Sequence, residues 1–221
     1  MDARCHPLTP HVIDVTREMS HGMPTWPGNK VGVAIERTAR LESDGYNLSR
    51  FSHLECHCGT HFDSPSHFID GGTDLAGTPL RVLPAVIISI SEKQIGPTIF
   101  TPASHLKDHA VLVHTGWDAQ IGHSNYYRNF PTLTAQAAQF LVENEIGLLG
   151  MDTPSPDPPD SSDHPVHHLL LGAGIPIVEG LVRLDQVRRV KGTPYFLAFP
   201  LKVKGVEACP VRAAVLLLTT K

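Results

Sequence analysis

The amino-acid sequence predicts an α/β fold dominated by β-sheet. Short apolar segments alternate with turn signals along most of the chain, and only a few stretches carry the apolar periodicity of a helix. A chain of 221 residues with 41% hydrophobic content can bury one substantial core. Because no linker-like stretch interrupts the chain, we predict a single domain over residues 1–221.

The predicted strands are short apolar runs bounded by glycine, proline or polar turn residues. A loop rich in proline and glycine, Gly22 to Asn29, follows the first run and carries Trp26 at its tip. In chain order the runs are His11 to Val15, Leu48 to His57, Ala85 to Ile90, Ala110 to His114, Leu148 to Met151, Ile175 to Val178 and Tyr195 to Phe199.

Two helices are predicted between these strands. The longer helix follows Thr134, a residue type that favours the N-cap, and is stopped by Gly147. Its apolar stripe consists of Ala138, Leu141, Val142 and Ile146. The shorter helix begins near Asp163 to Pro165 and ends at Gly172, with proline in its first turn.

Charge and hydropathy exclude several classes of protein. A net charge of -4 leaves no basic stripe for nucleic acid and no polybasic patch for a membrane surface. The longest apolar runs, such as Ala213 to Leu218, are too short to span a bilayer, and Met1 to Cys5 lacks the apolar region of a signal peptide. The sequence therefore predicts a cytoplasmic enzyme without a nucleic-acid or membrane partner.

The four cysteines, Cys5, Cys56, Cys58 and Cys209, are too few and too uneven for a disulfide framework. Cys56 and Cys58 could act as soft ligands for zinc. We favour a packing role instead, because free cysteine commonly serves as a small buried hydrophobic residue.

The proline-rich segment Asp152 to Asp160 is predicted to be a stiff surface loop, because its backbone has little conformational freedom and few donors. It is either a connector or a wall or lid of a substrate pocket. The sequence leaves both interpretations open.

The segment His57 to His67 holds three histidines and an aspartate within eleven residues. A helix would turn Asp63 away from the histidines, and glycine and proline oppose it. In an extended chain one face would carry His57, Gly59, His61 and Asp63, with the glycine leaving room for an ion and its water. Pro65 would end the strand, and the following turn would bring His67 close to this face. The pattern predicts three metal ligands and a separate proton carrier.

Further ligands are expected from the second half of the chain, because a metal ion usually needs more than one segment supplies. The candidates are His164, His167, His168 and Glu179, the last at the end of an apolar strand. An ion pair or a capping role would also explain a buried acid at that position. The first motif favours the metal interpretation.

The complete motif His-x-Gly-Thr-His-x-Asp-x-Pro-x-His resembles the signature of the metal-dependent cyclase-like hydrolases, which include bacterial kynurenine formamidase and isatin hydrolase. Similar segments extend over nearly the whole chain: Trp26 to Gly28, His114 to Trp117, Asp152 to Ser155, His167 to Glu179 and Pro210 to Ala213. The resemblance implies a swivelling β/β/α fold, assembled as a homodimer or larger homo-oligomer.

The resemblance also implies roles for individual residues. His57, His61 and Asp63 match ligands of a first ion, with Asp63 able to bridge to a second, and His67 matches the general acid/base. His167 and Glu179 match ligands of the second ion, with His164 and His168 as near alternatives to His167. Trp26 matches an aromatic residue that lines the substrate pocket.

These residue types suit one or two ions of zinc or manganese. A bound divalent ion lowers the pKa of water from 15.7 to about 7, and a histidine such as His67 can move the proton to a leaving nitrogen. The sequence contains no Gly-x-Ser-x-Gly elbow, which weakens a serine-hydrolase interpretation.

The implied reaction is hydrolysis of an amide bond beside an aromatic ring, with conversion of N-formylkynurenine to kynurenine and formate as the first choice. Isatin or another cyclic amide or imide is the alternative substrate, because His114 to Trp117 departs from an arginine-containing segment of typical kynurenine formamidases. The sequence assigns no arginine to a substrate carboxylate. A hypothesis of another class is a metal-binding protein without catalytic activity.

Overall fold

A computed structural model describes residues 9–28, 31–103 and 105–219 and confirms the sheet-dominated α/β fold. The strands are β1 (Thr9–Asp14), β2 (Val33–Ala39), β3 (Leu48–Leu54), β4 (His61–Asp63), β5 (Val82–Ser89), β6 (Gln94–Ile95), β7 (Ala110–His114), β8 (Thr132–Leu133), β9 (Leu148–Met151), β10 (Ile177–Glu179), β11 (Thr193–Ala198), β12 (Ala208–Pro210) and β13 (Ala213–Thr219). The helices are α1 (Leu41–Asp44), α2 (Ala135–Glu143), α3 (Pro165–Gly172) and α4 (Leu184–Val187).

Nine strands form one sheet in the order β1-β13-β11-β5-β7-β9-β10-β4-β12. The central strands β5, β7, β9 and β10 run parallel, whereas the strands on either side pair antiparallel. Two-stranded sheets formed by β2 with β3 and by β6 with β8 lie outside it. Strands distant in sequence, β4 and β10, are thereby made neighbours.

Both faces of the large sheet are buried, and β7 shows the alternation. Ala110 and Leu112 belong to one apolar core, whereas Val111 and Val113 belong to the other. The second core also contains buried residues of α2 and α3, so these two helices cover that face. A side chain of α3 can therefore reach residues on the same face of the neighbouring strands.

All seven predicted strands are present: β7 and β9 have the predicted bounds, and the other five have shifted ends. The prediction of a strand from Leu48 to His57 is wrong at its end, because β3 stops at Leu54 and His57 lies in a turn. The apolar run Ala213 to Leu218 forms most of β13, which pairs with both β1 and β11.

The helix predictions are confirmed at their N-termini. Thr134 accepts a hydrogen bond from the Ala137 N–H, and Pro165 is the first residue of α3. Helix α2 ends at Glu143 and does not extend to Gly147. The reason is that Glu145 has a positive φ of 50° and the following Ile146 forms an antiparallel bridge with Lys107.

The prediction of a surface loop from Asp152 to Asp160 is wrong for its first six residues, which are buried. Internal hydrogen bonds make this burial possible. The Asp152 carboxylate accepts N–H groups of Thr115 and Gly116, and the Asp157 carboxylate accepts N–H groups at the start of α3. Only the end of the segment is exposed.

The packing interpretation of Cys56 and Cys58 fits Cys58, which is buried in an apolar cluster, whereas Cys56 is half-buried with a free thiol. Cys209 is also buried in an apolar core. Cys5 and Asn29 lie outside the described residues. None of the described helices is long and apolar enough to cross a membrane.

Candidate metal centre

The pairing of β4 with β10 sets two carboxylates and a histidine side by side. His61 lies opposite Glu179, and Asp63 lies opposite Ile177. The Nε2 atom of His61 is 3.2 Å from Oε2 of Glu179 and 3.6 Å from Oδ1 of Asp63. All three side chains are buried. Two acids and an imidazole therefore meet in a space with little access to water.

Helix α3 adds His167 to this group from the same face of the sheet. Its Nε2 atom is 3.2 Å from Oε1 of Glu179 and 3.9 Å from Oδ2 of Asp63. His167 is buried, whereas the neighbouring His168 is exposed. His164 precedes the helix with a positive φ of 39°. Of these three histidines, His167 is the one beside both carboxylates.

His57 reaches the cluster from the turn before β4. Its Nδ1 atom is 3.1 Å from Oδ1 of Asp63. The prediction of a shared strand face is therefore wrong for His57 and Gly59. Gly59 has a positive φ of 69°, and a side chain there would meet Met19. The glycine permits the turn that brings His57 back towards β4.

His67 lies in the single helical turn Pro65–His67 that follows β4. Its ring centroid is 4.2 Å from that of His57 and 5.7 Å from that of His167. No ion pair joins His67 to a carboxylate among the described residues, in contrast to the other three histidines. This arrangement distinguishes one histidine from the acid-paired set.

Each of the acid-paired histidines has its second ring nitrogen held by a group outside the cluster. Nδ1 of His61 lies 3.2 Å from the Gly59 carbonyl oxygen. Nδ1 of His167 lies 2.6 Å from Oδ2 of Asp157. Nε2 of His57 lies 3.4 Å from Oε1 of Glu207. Such outer partners orient histidines that bind metal ions.

Sequence reasoning did not identify the outer partners Asp157 and Glu207. An acid fixed between prolines is the signal that could have indicated Asp157. Glu207 stands near Lys202 and Lys204 in a polar segment, which contains no comparable signal. Both acids become recognisable only through their contacts with a histidine.

Unsatisfied polar atoms test whether the cluster suits a cation. Nε2 of His61 and both carboxylate oxygens of Asp63 are the buried side-chain atoms without a hydrogen bond among the described residues. Unpaired buried polar atoms are costly, and a buried carboxylate is usually paired or bound to metal. The nitrogen and oxygen atoms present are ligands that zinc and manganese accept. The residues therefore fit a divalent ion.

Electrostatics favour positive charge in the cluster. Burial lowers the pKa of His61, but Asp63 and Glu179 outweigh burial and raise this pKa to about 9. For His167 burial likewise acts downward, while Asp157 and Glu179 raise the pKa to about 10. The negative charge of the carboxylates thus favours protonation of these two histidines when no metal ion is bound. A bound metal ion would take the place of those protons.

His67 has the opposite character. Burial lowers its pKa, Asp63 opposes this effect, and His57 and His167 add to it, so that the pKa is about 4. Its imidazole is therefore neutral at pH 7 and can accept a proton. This property separates His67 chemically from His61 and His167.

Trp26, on the loop after β1, belongs to an aromatic group. The Trp26 ring centroid is 5.8 Å from that of Tyr127 and 6.2 Å from that of Phe130. The adjacent Thr25 donates a hydrogen bond of 3.4 Å to the His57 carbonyl. The loop that carries Trp26 is thereby attached to the turn that carries His57.

Comparisons with known proteins identify related chains. Residues 13–158 match the family described as "Putative cyclase", a range that includes the His57 to His67 motif but not His167 or Glu179. Over 205 residues the chain is 32% identical to the kynurenine formamidase of Geobacillus thermodenitrificans strain NG80-2. This similarity covers 91% of the chain and 95% of that relative.

Solved structures extend the similarity to the whole fold. Isatin hydrolase A from Labrenzia aggregata, bound to benzyl benzoate, has a TM-score of 0.82 and 25% identity, covering 96% of this chain and 94% of its own. A "potential metal-dependent hydrolase with cyclase activity" has a TM-score of 0.78 and 27% identity, covering 94% of this chain and 98% of its own. The structural similarity thus spans at least 94% of this chain.

Proposed function

Because the chain belongs to the cyclase family, we propose that it is a metal-dependent hydrolase that cleaves a carbon–nitrogen amide bond next to an aromatic ring. The proposed reaction converts N-formylkynurenine to kynurenine and formate, which is the activity named for the 32% identical relative. The observation that carries the proposal is the buried group of histidines and acids with unsatisfied atoms at His61 and Asp63.

In this proposal His57, His61 and Asp63 hold one divalent ion, and His167 and Glu179 hold a second. The short distances from His57 and His61 to Asp63 and from His167 to Glu179 support these two sets. The two oxygens of Asp63 face different histidines, which supports a bridging role. We propose zinc or manganese, because both accept imidazole and carboxylate ligands. When bound, such an ion supplies Lewis-acid chemistry that lowers the pKa of water to about 7 and polarises a carbonyl oxygen.

His67 acts as the general acid/base in this proposal. Its neutral imidazole takes a proton from water and returns the proton to the leaving amide nitrogen. Its position beside His57 supports this role. Its lowered pKa of about 4 leaves the ring neutral at pH 7, which is the form that a base requires. The aromatic group around Trp26 contacts the substrate ring.

A cyclic amide such as isatin is the second candidate substrate. The similarity to isatin hydrolase A over 96% of the chain favours it. Both reactions require water activation and proton transfer to an aryl nitrogen, so the pocket around these groups decides between them.

The direct test measures bound metal by mass spectrometry and hydrolysis of N-formylkynurenine and isatin with and without chelator. We expect hydrolysis that chelator removes and added metal restores. The His67→Ala variant should keep its metal and lose about 100-fold or more of kcat, the usual range for a general acid/base. Full activity of His67→Ala would refute the proton-transfer role.

The matched pair His167→Ala and His168→Ala tests the distal ligand, because the two residues are adjacent and only His167 faces the acids. We expect the first variant to lose metal and the second to retain it. Stoichiometric metal in the wild type without hydrolysis of any amide in a panel would support a non-catalytic metal-binding protein instead.

We also propose a homodimer or larger homo-oligomer. Exposed apolar side chains around β3, among them Leu48 and Phe51, support an association surface. Sedimentation of the wild type and of Phe51→Asp tests this, since a monomeric wild type would contradict it. A cytoplasmic location stays a prediction, which cell fractionation would test.

A further inference from the structure

Arg17, in the segment after β1, is a buried arginine without a partner acid among the described residues. The residue is 8% exposed. Ion pairs with Asp or Glu within the described residues involve the arginines Arg50, Arg183, Arg189 and Arg212. A buried charge is costly unless it is paired, and an arginine cannot shed its proton. Binding of an anion to the guanidinium would therefore offset the cost of burying its charge.

Thr60 ties the backbone of Arg17 to the candidate metal centre. The Arg17 N–H donates to the Thr60 hydroxyl at 2.8 Å, and this hydroxyl donates to the Gly180 carbonyl at 2.6 Å. Thr60 directly precedes His61, and Gly180 directly follows Glu179. The backbone at Arg17 is thereby fixed beside both segments that carry the buried carboxylate cluster.

The guanidinium of Arg17 lies against the aromatic group. Its Cζ atom is 5.1 Å from the ring centroid of Tyr126. Burial raises the pKa of the Tyr127 phenol, and the charge of Arg17 opposes that rise. Since Tyr127 contacts Trp26, the positive charge stands next to the proposed wall for the substrate ring. Tyrosine faces attract a cation but do not neutralise it.

We propose that Arg17 binds a carboxylate on the substrate and so selects aryl amides whose ring carries an anionic side chain. This inference rests on the proposed function and favours an open formamide such as N-formylkynurenine over the uncharged isatin. The planar guanidinium matches a carboxylate with two parallel hydrogen bonds, which a lysine at this position could not reproduce. Arg17 is thus a specificity-determining residue.

The test compares N-formylkynurenine with its methyl ester, in which the carboxylate loses its charge and gains one methyl group. For Arg17→Met we expect kcat/KM on the acid to fall about 10- to 100-fold through KM, the range for a hydrogen bond to a charged group. The ester should change by less than about threefold. The exposed Arg189→Met is the matched control, because its partner Asp185 lies on the surface helix α4. Equal losses on acid and ester would refute the proposal and assign Arg17 a structural role.

Two further measurements keep the inference open to refutation if Arg17→Met does not fold. Arg17→Lys keeps the charge and should lose most of the preference for the acid. Calorimetry of the wild type should show kynurenine binding at least about tenfold more tightly than its methyl ester. Equal affinities would overturn the inference. Hydrolysis of neither substrate would instead overturn the proposed function, while the same calorimetric comparison on Arg17→Lys and the wild type would still decide the role of Arg17.

Discussion

At the scale of single residues, the candidate metal centre depends on side chains outside the cluster that contact its histidines. Asp157 illustrates this dependence, because its carboxylate accepts the backbone N–H groups of Val166 and His167 and contacts the His167 ring. One acid therefore fixes both the start of α3 and the orientation of the imidazole. Helix position and ring orientation are coupled through Asp157.

We predict that Asp157→Asn weakens metal binding about 10- to 100-fold, because the His167 ring loses a charged partner. Competition with a fluorescent chelator would measure the affinity for zinc and manganese. Asp160→Asn is the control, since Asp160 is exposed and lies only three residues further along the chain. Unchanged affinity with reduced thermal stability would show that Asp157 acts on the fold alone.

At the scale of elements, the turn before β4 lies against the end of β10. Gly180 follows β10 with a positive φ of 65°, and a Cβ atom there would lie 2.5 Å from the Gly59 carbonyl oxygen. The atom in the way belongs to the backbone, so the clash could not be relieved by the movement of a side chain. Two glycines thereby allow His57 and Glu179 to reach the same cluster.

We predict that Gly180→Ala destabilises the fold more than Gly174→Ala. Both positions have positive φ, but a side chain at Gly174 would meet open space. The control should lose about 1–2 kcal/mol through backbone strain alone, and Gly180→Ala should exceed that loss through its steric clash. Urea unfolding measures both variants. Equal losses would mean that the turn moves without cost.

The pairing of β1 with β13 carries an ion pair at its end. Asp14 lies 2.6 Å from the guanidinium of Arg212, which directly precedes β13. Burial raises the pKa of Asp14, but hydrogen bonds from Arg212 and Thr16 outweigh burial and lower the pKa to about 2. The ordinary value is 3.8, so folding favours the ionised carboxylate.

We predict a pH-dependent contribution of Asp14 to stability. A lowered folded-state pKa stabilises the protein fully above the unfolded value of 3.8, and this contribution disappears as the pH falls through about 2. The urea midpoints of wild type and Asp14→Asn should therefore differ at pH 6 and converge towards pH 2. Protonation of the proposed metal ligands affects the wild type and Asp14→Asn equally, so it does not contribute to the difference between their midpoints. A constant difference across this range would contradict the prediction.

At the scale of the whole molecule, metal binding is expected to couple to global stability. The proposed ligands lie in the segment around β4, in α3 and in β10, so unfolding would separate them. An ion that binds only the folded state at 100 times its Kd adds about 2.7 kcal/mol. For a chain of this size this corresponds to a rise in Tm of about 5–10 °C.

We predict that chelation lowers the Tm by this amount and that zinc or manganese restores it. Scanning calorimetry before and after chelator treatment is the measurement. Chelator saturated with zinc serves as the control for effects of the chelator itself. An identical Tm with and without metal would place the ion away from the folded centre.

Local patterns explain why much of the fold was predictable. Apolar runs such as Ala110–His114 and the cap at Thr134 depend on neighbours in sequence, and both are found in the structure. The predicted strand position of His57 is wrong, because the alternation of side chains along a strand does not reveal that Gly59 turns the chain. The prediction that the proline-rich segment lies on the surface is wrong for a similar reason. The hydrogen-bond partners of its buried residues lie in other elements.

The sequence by itself determined the α/β class and the dense group of histidines and acids from His57 to His67, because periodicity and residue type are local properties. Only the tertiary structure decided which distant groups complete the cluster. It placed His167 and not His168 beside Glu179, and it brought Asp157 and Glu207 to the outer ring nitrogens. The physical reason is that strand order and helix packing bring together residues far apart in the chain, and no local pattern encodes those distances.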